Sequence, residues 1–131
     1  MPPVKTHIIT SAVLAITLYP VIGLNTIIVF LSGVLIDFDH YLQYVIDFKD
    51  FSLKKSYKYF TTTMPVDVLQ IFHVVEFWII LFVMALFIEA LRYIIVGMAV
   101  HLTIDFLDMA EKNIKGVRAT SAIMWVLRRV N

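Results

Sequence analysis

Cysteine is absent from the 131-residue sequence, which excludes disulfide bonds and thiolate-ligated metal sites. Charged residues are also scarce, at 16%, and the net charge is only +1. There is no arginine-rich patch and no nucleic-acid-binding motif, so no nucleic-acid partner is expected. Internal repeats and low-complexity segments are lacking as well. The chain is therefore expected to form a single domain without disulfide bonds, and any metal site in it must use His, Asp or Glu.

Hydrophobic residues, in contrast, make up 60% of the chain. A soluble domain of this length has too little interior to bury that much apolar surface, whereas a bilayer solvates it directly. The first residues, MPPVKTHIIT, contain one lysine and are not followed by a small-residue cleavage pattern. We therefore expect them to begin a first membrane helix and not a removable signal peptide.

Four apolar segments predict four transmembrane helices, each close to the roughly 20 residues that span a bilayer. Pro20 and Gly23 mark the end of the first, and Asn25 is a plausible N-cap of the second. A last segment, with Trp125 among its residues, is too short to span and is typical of a helix in the headgroup plane. The expected boundaries are about 6–22, 25–47, 67–88 and 90–109, with the interfacial tail at about 118–130. The predicted fold is an all-α integral-membrane four-helix bundle, one domain over 1–131, with a short C-terminal interfacial helix.

The basic residues predict the orientation of this bundle. With the N-terminus in the cytoplasm, Lys5, four lysines of the central loop and five basic residues after the fourth helix all lie inside. Only Arg92 then lies outside. The positive-inside rule therefore predicts an integral protein of the cell membrane with both termini in the cytoplasm.

Ionisable side chains nevertheless occur within every apolar segment. Each costs at least about 2.5–3.5 kcal/mol at the centre of a membrane helix, and such residues are usually functional. They are His7 in the first segment, Asp37, Asp39 and His40 in the second, His73 and Glu76 in the third, and His101 and Asp105 in the fourth. Because all four predicted helices carry such groups, we expect a bound partner that offsets the free-energy cost of placing them in the bilayer.

The spacing of these residues predicts shared helix faces. His101 and Asp105 are four residues apart, and two further pairs are three apart. Those pairs are Asp37 with His40 and His73 with Glu76. Asp39 points elsewhere unless the second helix bends. At about 1.5 Å per residue, all eight side chains fall in the cytoplasmic half of the bilayer.

A divalent cation would gather imidazoles and carboxylates at one level of a helical bundle. Mixed His and carboxylate ligation suits zinc, with manganese or iron as alternatives, and the number of candidates allows one or two ions. Glu76 is either a further ligand or the general base, and Asp39 is a second candidate for a catalytic part. The predicted metal ligands are His7, Asp37, His40, His73, His101 and Asp105.

The stretches THIITS, GVLIDFDHYLQY, FHVVEFW and GMAVHLTIDFLD resemble, in this order, a family of small membrane-bound metal-dependent hydrolases. That family is recognised by an early histidine, a D-x-D-H element, a later histidine element and an H-x-x-x-D element. The match covers roughly residues 5–109. Many relatives carry an H-R-G-x-T-H-S type stretch where this sequence has FHVVEFW, which is closer to a subgroup with H-x-x-E. The ligand set is also similar, by analogy only, to that of zinc-dependent phospholipase C.

These observations predict a metal-dependent hydrolase that acts on a phosphoester or ester of a membrane lipid at the cytoplasmic leaflet. Other classes remain open. A non-catalytic membrane protein with a structural metal would use the same ligands, and a haem protein would use His73 and His101 as axial ligands. A transporter would need polar residues in the outer half of the bundle as well, and the ranges 79–88 and 91–100 offer almost none.

Overall fold

The computed structural model describes residues 3–62, 68–112 and 119–130, and the described chain is all-helical, as predicted. The starts predicted for the third helix, at residue 67, and for the tail, at residue 118, lie outside the described residues. The helices are α1 (Val4–Ile22), α2 (Thr26–Leu35), α3 (Phe38–Phe48), α4 (Leu53–Thr62), α5 (Val75–Ala85), α6 (Glu89–Glu111) and α7 (Ala122–Val130).

A glycine ends α1 and lets the chain turn back into α2. Gly23 has a φ of 55°, and its N–H donates to the carbonyl oxygen of Tyr19. Glycine adopts this conformation without a steric penalty, so it is the usual residue just after a helix. Pro20, in contrast, lies inside α1 and does not terminate it.

The second predicted helix is not continuous. It is interrupted at Ile36 and Asp37, which separate α2 from α3, so the prediction of one regular helix over 25–47 is wrong. Asp37 occupies the N-cap position of α3, yet its side chain makes no capping hydrogen bond. The backbone N–H of His40 instead donates to the Asp37 carbonyl oxygen at 3.1 Å. The carboxylate of Asp37 therefore remains available to other side chains.

The prediction of a helix over 67–88 is also wrong. Residues Ile71–His73 form a 3-10 turn, Val74 is extended, and α5 begins only at Val75. His73 and Glu76 consequently do not share a helix face. At about 1.5 Å per residue, the 11 residues of α5 extend roughly 16 Å, about half of a hydrocarbon core.

Backbone partners elsewhere in the chain stabilise this irregular stretch. The N–H of Ala119 donates to the Val68 carbonyl oxygen at 2.9 Å, and the N–H of Val75 donates to that of Thr120 at 3.0 Å. The indole N–H of Trp78 donates to the Phe72 carbonyl oxygen at 3.1 Å. Because its polar backbone groups find these partners, the stretch does not need to be helical where it is buried.

Helix α2 packs against both α1 and α6, and α6 also packs against α5. Glycines allow the crossing of α2 and α6. A Cβ atom on Gly97 would overlap the carbonyl oxygen of Val29, and one on Gly33 would lie 3.1 Å from the carbonyl oxygen of Gly97. Such small-residue crossings are common between membrane helices, where backbones must approach closely.

Little of the apolar surface is buried inside the protein. Ile36, Leu81 and Met98 form the buried core cluster, whereas Val21 and Phe87 are 80% and 82% exposed. By length and composition, two helical stretches, Val4–Phe48 and Glu89–Glu111, are long and apolar enough to cross a membrane.

The segment between α3 and α5, which we expected to be a lysine-rich loop, contains helix α4. A turn holds its start: Lys55 Nζ donates to Asp50 Oδ2 at 2.8 Å, and the N–H of Ser52 donates to Asp50 Oδ1 at 2.9 Å. The hydrogen bond from Lys55 and the one from Ser52 lower the pKa of Asp50. Tyr41 Oη donates to the Phe51 carbonyl oxygen at 3.0 Å. These contacts fold α4 back against α3.

Candidate metal centre

Four of the predicted ligands converge at one point. Each of Asp37, His73, His101 and Asp105 offers one ligand atom, and these atoms lie within 4.8 Å of one another. They come from the break before α3, the 3-10 turn before α5, and helix α6. The predicted convergence of side chains distant in the chain is confirmed, and this buried Asp/His group can hold a metal ion.

The spacing of these atoms suits an ion at their centre. His101 Nε2 lies 3.2 Å from Asp37 Oδ1 and 3.8 Å from Asp105 Oδ2, and His73 Nε2 lies 3.9 Å from Asp105 Oδ2. Ligands about 2.1 Å from a tetrahedral zinc ion are separated from one another by about 3.4 Å. The two longer distances exceed a hydrogen bond but match ligands arranged around a cation.

A backbone carbonyl fixes the ring of His101. Its Nδ1 lies 2.8 Å from the carbonyl oxygen of Gly33, which can only accept a hydrogen bond. Nδ1 therefore carries a proton, and Nε2, which offers a lone pair in the neutral ring, faces Asp37 and Asp105. Metal-binding histidines are commonly oriented in this way. The glycine crossing described above brings Gly33 close enough to α6 for this contact.

Asp39 fixes the ring of His73 in the same manner. Its Oδ2 lies 3.0 Å from His73 Nδ1 and also accepts the backbone N–H of Phe72 at 3.2 Å. Because a carboxylate accepts hydrogen bonds, His73 Nδ1 is the donor and Nε2 faces the cluster. The break at Asp37 brings Asp39 inward, so Asp39 lies behind the imidazoles and outside the group of four ligand atoms.

His40 adjoins the group but does not belong to it. Its Nδ1 lies 2.9 Å from Asp39 Oδ1 and 3.3 Å from Asp37 Oδ1. Its Nε2 is buried and has no hydrogen-bond partner among the described residues. Its ring meets that of His73 edge to face, with centroids 5.5 Å apart. His40 thus presents an unused acceptor beside the candidate centre.

His7 covers the other side of the centre. Its ring stacks on that of His101, with centroids 3.9 Å apart and an interplanar angle of 19°. Its Nε2 lies 3.4 Å from Asp105 Oδ1. The structure therefore places His7 in contact with two of the four grouped residues, although it is not one of them.

Glu76 lies apart from the grouped ligands and binds the C-terminal helix. Its carboxylate accepts hydrogen bonds from the hydroxyl of Ser121, from the N–H of Ala122 at 3.0 Å and from the N–H of Ile123 at 3.3 Å. It thereby caps the N-terminus of α7, where carboxylates are favoured. This geometry supports an anchoring role, and we give Glu76 no part in the chemistry proposed below.

The charges of the four ligands favour a divalent ion. The side chains of His73 and Asp105 are 0% and 4% exposed, whereas that of Asp37 is 29% exposed. Two carboxylates in a poorly solvated site need compensating positive charge. A divalent cation bound by two neutral imidazoles and two carboxylates gives a neutral set, with Asp37 on the more open side.

Gly33, Gly97 and Phe60 support the site but were missed in the sequence. Phe60 packs edge to face on His40, with ring centroids 4.9 Å apart. A signal for the glycines was present, since Gly97 precedes His101 by one helical turn in a segment of otherwise larger residues. No pattern in the sequence pointed to Phe60.

We expect Asp39→Asn to lower metal affinity by about 10–100-fold, the usual effect of removing a hydrogen-bond partner behind a metal ligand. The amide offers one acceptor oxygen where the carboxylate holds both His40 and His73. Titration of metal-free protein with zinc measures the change. Asp47→Asn is the control, because Asp47 is exposed and accepts a hydrogen bond from Gln43. Equal affinity in the two variants would contradict the orienting role.

Comparison with known proteins yields no match among protein-family models, curated proteins or solved structures. The functional argument therefore depends on the geometry of the site.

Proposed function

We propose that this protein is a membrane-embedded metal-dependent hydrolase that acts on a phosphoester or ester of a membrane lipid at the cytoplasmic leaflet. One observation carries the proposal: ligand atoms of Asp37, His73, His101 and Asp105 lie within 4.8 Å of one another, and the two rings are oriented by contacts at Nδ1. The resemblance to membrane-bound metal-dependent hydrolases in the sequence motifs points to the same activity.

The proposed location is a four-helix bundle in the bilayer, with both termini in the cytoplasm. The exposed apolar surface of the helices and the one-sided distribution of basic residues support it. The irregular stretch before α5 is compatible with membrane depth, because non-helical backbone is tolerated there when it is buried in protein. The short helix α5 would then begin at the level of the site and run toward the outer surface.

One or two divalent ions, zinc foremost and manganese or iron as alternatives, would supply Lewis acidity and an activated water at this site. The chain itself supplies the rest. Asp39 holds two imidazoles in place, the buried side of the centre excludes bulk water, and Asp37 lies on the side from which a lipid ester can approach. His7 and His40, which adjoin Asp105 and Asp37, would be available to hold a second ion.

Hydrolysis of phospholipids and simple phosphoesters by the purified protein tests this proposal. We expect turnover to disappear after chelation and to return with zinc or manganese. Asp105→Asn should remain inactive after repletion, whereas the control Asp108→Asn, in the next turn of α6 and paired with Lys112, should retain activity. Stoichiometric metal without any turnover would contradict the hydrolase and favour a structural metal. A Soret band in the absorption spectrum would favour haem.

A further inference from the structure

A cavity of about 150 Å³ opens beside the candidate metal centre, between α1, α3 and α4. Asp37 and His40 form its inner side, and the side chains of Leu53, Tyr57 and Phe60 contribute to its wall. An occupant of this cavity would therefore contact a proposed metal ligand directly.

The walls of this cavity suit an uncharged, apolar group. Among the described residues that line it there is no lysine or arginine, and its one charged side chain is Asp37, which belongs to the metal centre. A phosphate group usually binds where cations or backbone N–H groups converge. A hydrocarbon chain needs only apolar contacts, which the aromatic and aliphatic wall provides.

Helix α4 gives the cavity a fixed shape on the side away from the metal centre. Phe60 packs against His40, Tyr59 packs against Tyr44, and Ser56 is 4% exposed at the lining surface. Because Ser56 is small and buried, a larger residue at that position would fill the space and leave the four ligand atoms in place.

We propose that this cavity binds the acyl chain of a carboxylic ester, so that the substrate is an acyl ester of a lipid and its carbonyl group lies at Asp37. This inference rests on the proposed hydrolase function and names its substrate class. It selects the acyl ester over the phosphoester, because the group next to the metal centre must fit an apolar pocket without cationic walls.

The reaction balances without any other reactant. The oxygen atom of water bonds to the acyl carbon, the bond between that carbon and the alcohol oxygen breaks, and a proton from water passes to the departing alcohol oxygen. A carboxylic acid and an alcohol result. His40 and Asp37, whose Nδ1 and Oδ1 atoms lie 3.3 Å apart, both line the cavity next to the reacting ester.

Alkyl hydroxamates test the cavity without requiring turnover, because the hydroxamate head binds divalent metals and the tail occupies the adjoining space. We expect zinc-loaded protein to bind octanohydroxamate at least about tenfold more tightly than acetohydroxamate, as apolar pockets discriminate by tail length. Calorimetry in one detergent measures both affinities. Equal affinities for the two probes would overturn the proposal.

Two variants and a control distinguish the cavity from partitioning of the tail into detergent. Ser56→Leu should abolish the tail-length preference and retain acetohydroxamate binding, whereas Phe60→Ala should shift the preference to longer tails. Thr62→Leu introduces the same leucine side chain at an exposed position of α4 outside the cavity lining and should change neither affinity. A tail-length preference that is unchanged in both cavity variants would overturn the assignment.

Failure of this inference is separable from failure of the proposed function. Hydrolysis of phosphoesters with no cleavage of acyl esters would retain the hydrolase and overturn the acyl-chain cavity. Tail-length preference in a protein that cleaves no ester would retain the cavity as an acyl-binding site and overturn the hydrolase.

Discussion

Replacement of His101 by alanine is expected to abolish stoichiometric metal binding, with a loss of affinity greater than the roughly 100-fold upper range for residues behind a ligand. His101 Nε2 lies within 4 Å of both carboxylates of the group, so its removal eliminates the ligand that they share. Metal content after purification without chelator, together with zinc titration, measures the effect.

Thr103→Ala is the matched control for this experiment, because Thr103 is exposed on the same helix and its hydroxyl donates to the Ala99 carbonyl oxygen. It should retain the metal content of the original protein. If His101→Ala still bound one equivalent of zinc with unchanged affinity, the four-residue centre would be the wrong site. Thermal unfolding of both variants separates a local loss of metal from a loss of fold.

Replacement of Gly97 by alanine is expected to destabilise the protein strongly, although alanine ordinarily stabilises a helix relative to glycine by about 1 kcal/mol. The added Cβ atom would overlap the Val29 carbonyl oxygen and the Ser32 side chain and would lie 3.0 Å from the Gly33 nitrogen. Backbone atoms cannot rotate away, so α2 and α6 must separate. We expect a cost of about 3 kcal/mol and a fall in Tm of roughly 10 °C.

Separation of these helices also moves the Gly33 carbonyl away from His101 Nδ1, so metal affinity should fall together with stability. Ser32→Ala in the same chain should not restore either property, because the overlap with the Val29 backbone persists. Val96→Ala, at the adjacent and exposed position of α6, is the control. An unchanged Tm in Gly97→Ala would show that the helices do not cross at this residue.

Features that depend on residues close together in the sequence agree between the prediction and the structure for α1 and α6. The apolar runs predicted α1 and α6 with errors of about two residues, because helix length and termination depend on local residues such as Gly23. The spacing of His101 and Asp105 predicted that both side chains would face one direction, since both lie within an unbroken helix. The all-helical class followed from the same local patterns.

One prediction failed at a place where distant partners replace local hydrogen bonds. The helix over 67–88 was inferred from hydropathy, yet Asp39, Thr120 and the Val68–Ala119 contact hold the chain in a different conformation before Val75. The shared helix face of His73 and Glu76 was inferred from their spacing of three residues, and it is absent because His73 lies in a 3-10 turn before α5. None of these three contacts could be recognised from residues nearby in the sequence.

The sequence by itself determined that the chain is helical, that its surface is apolar enough for a membrane and that its ionisable residues suit a metal without thiolate ligands. Only the tertiary structure decided which of those residues meet, because the meeting depends on the break at Asp37 and on the close crossing at Gly33 and Gly97. Hydropathy and residue spacing predict structure only over a few turns of helix. The orientation of an imidazole by a carbonyl group 68 residues away is set by packing, which no local pattern encodes.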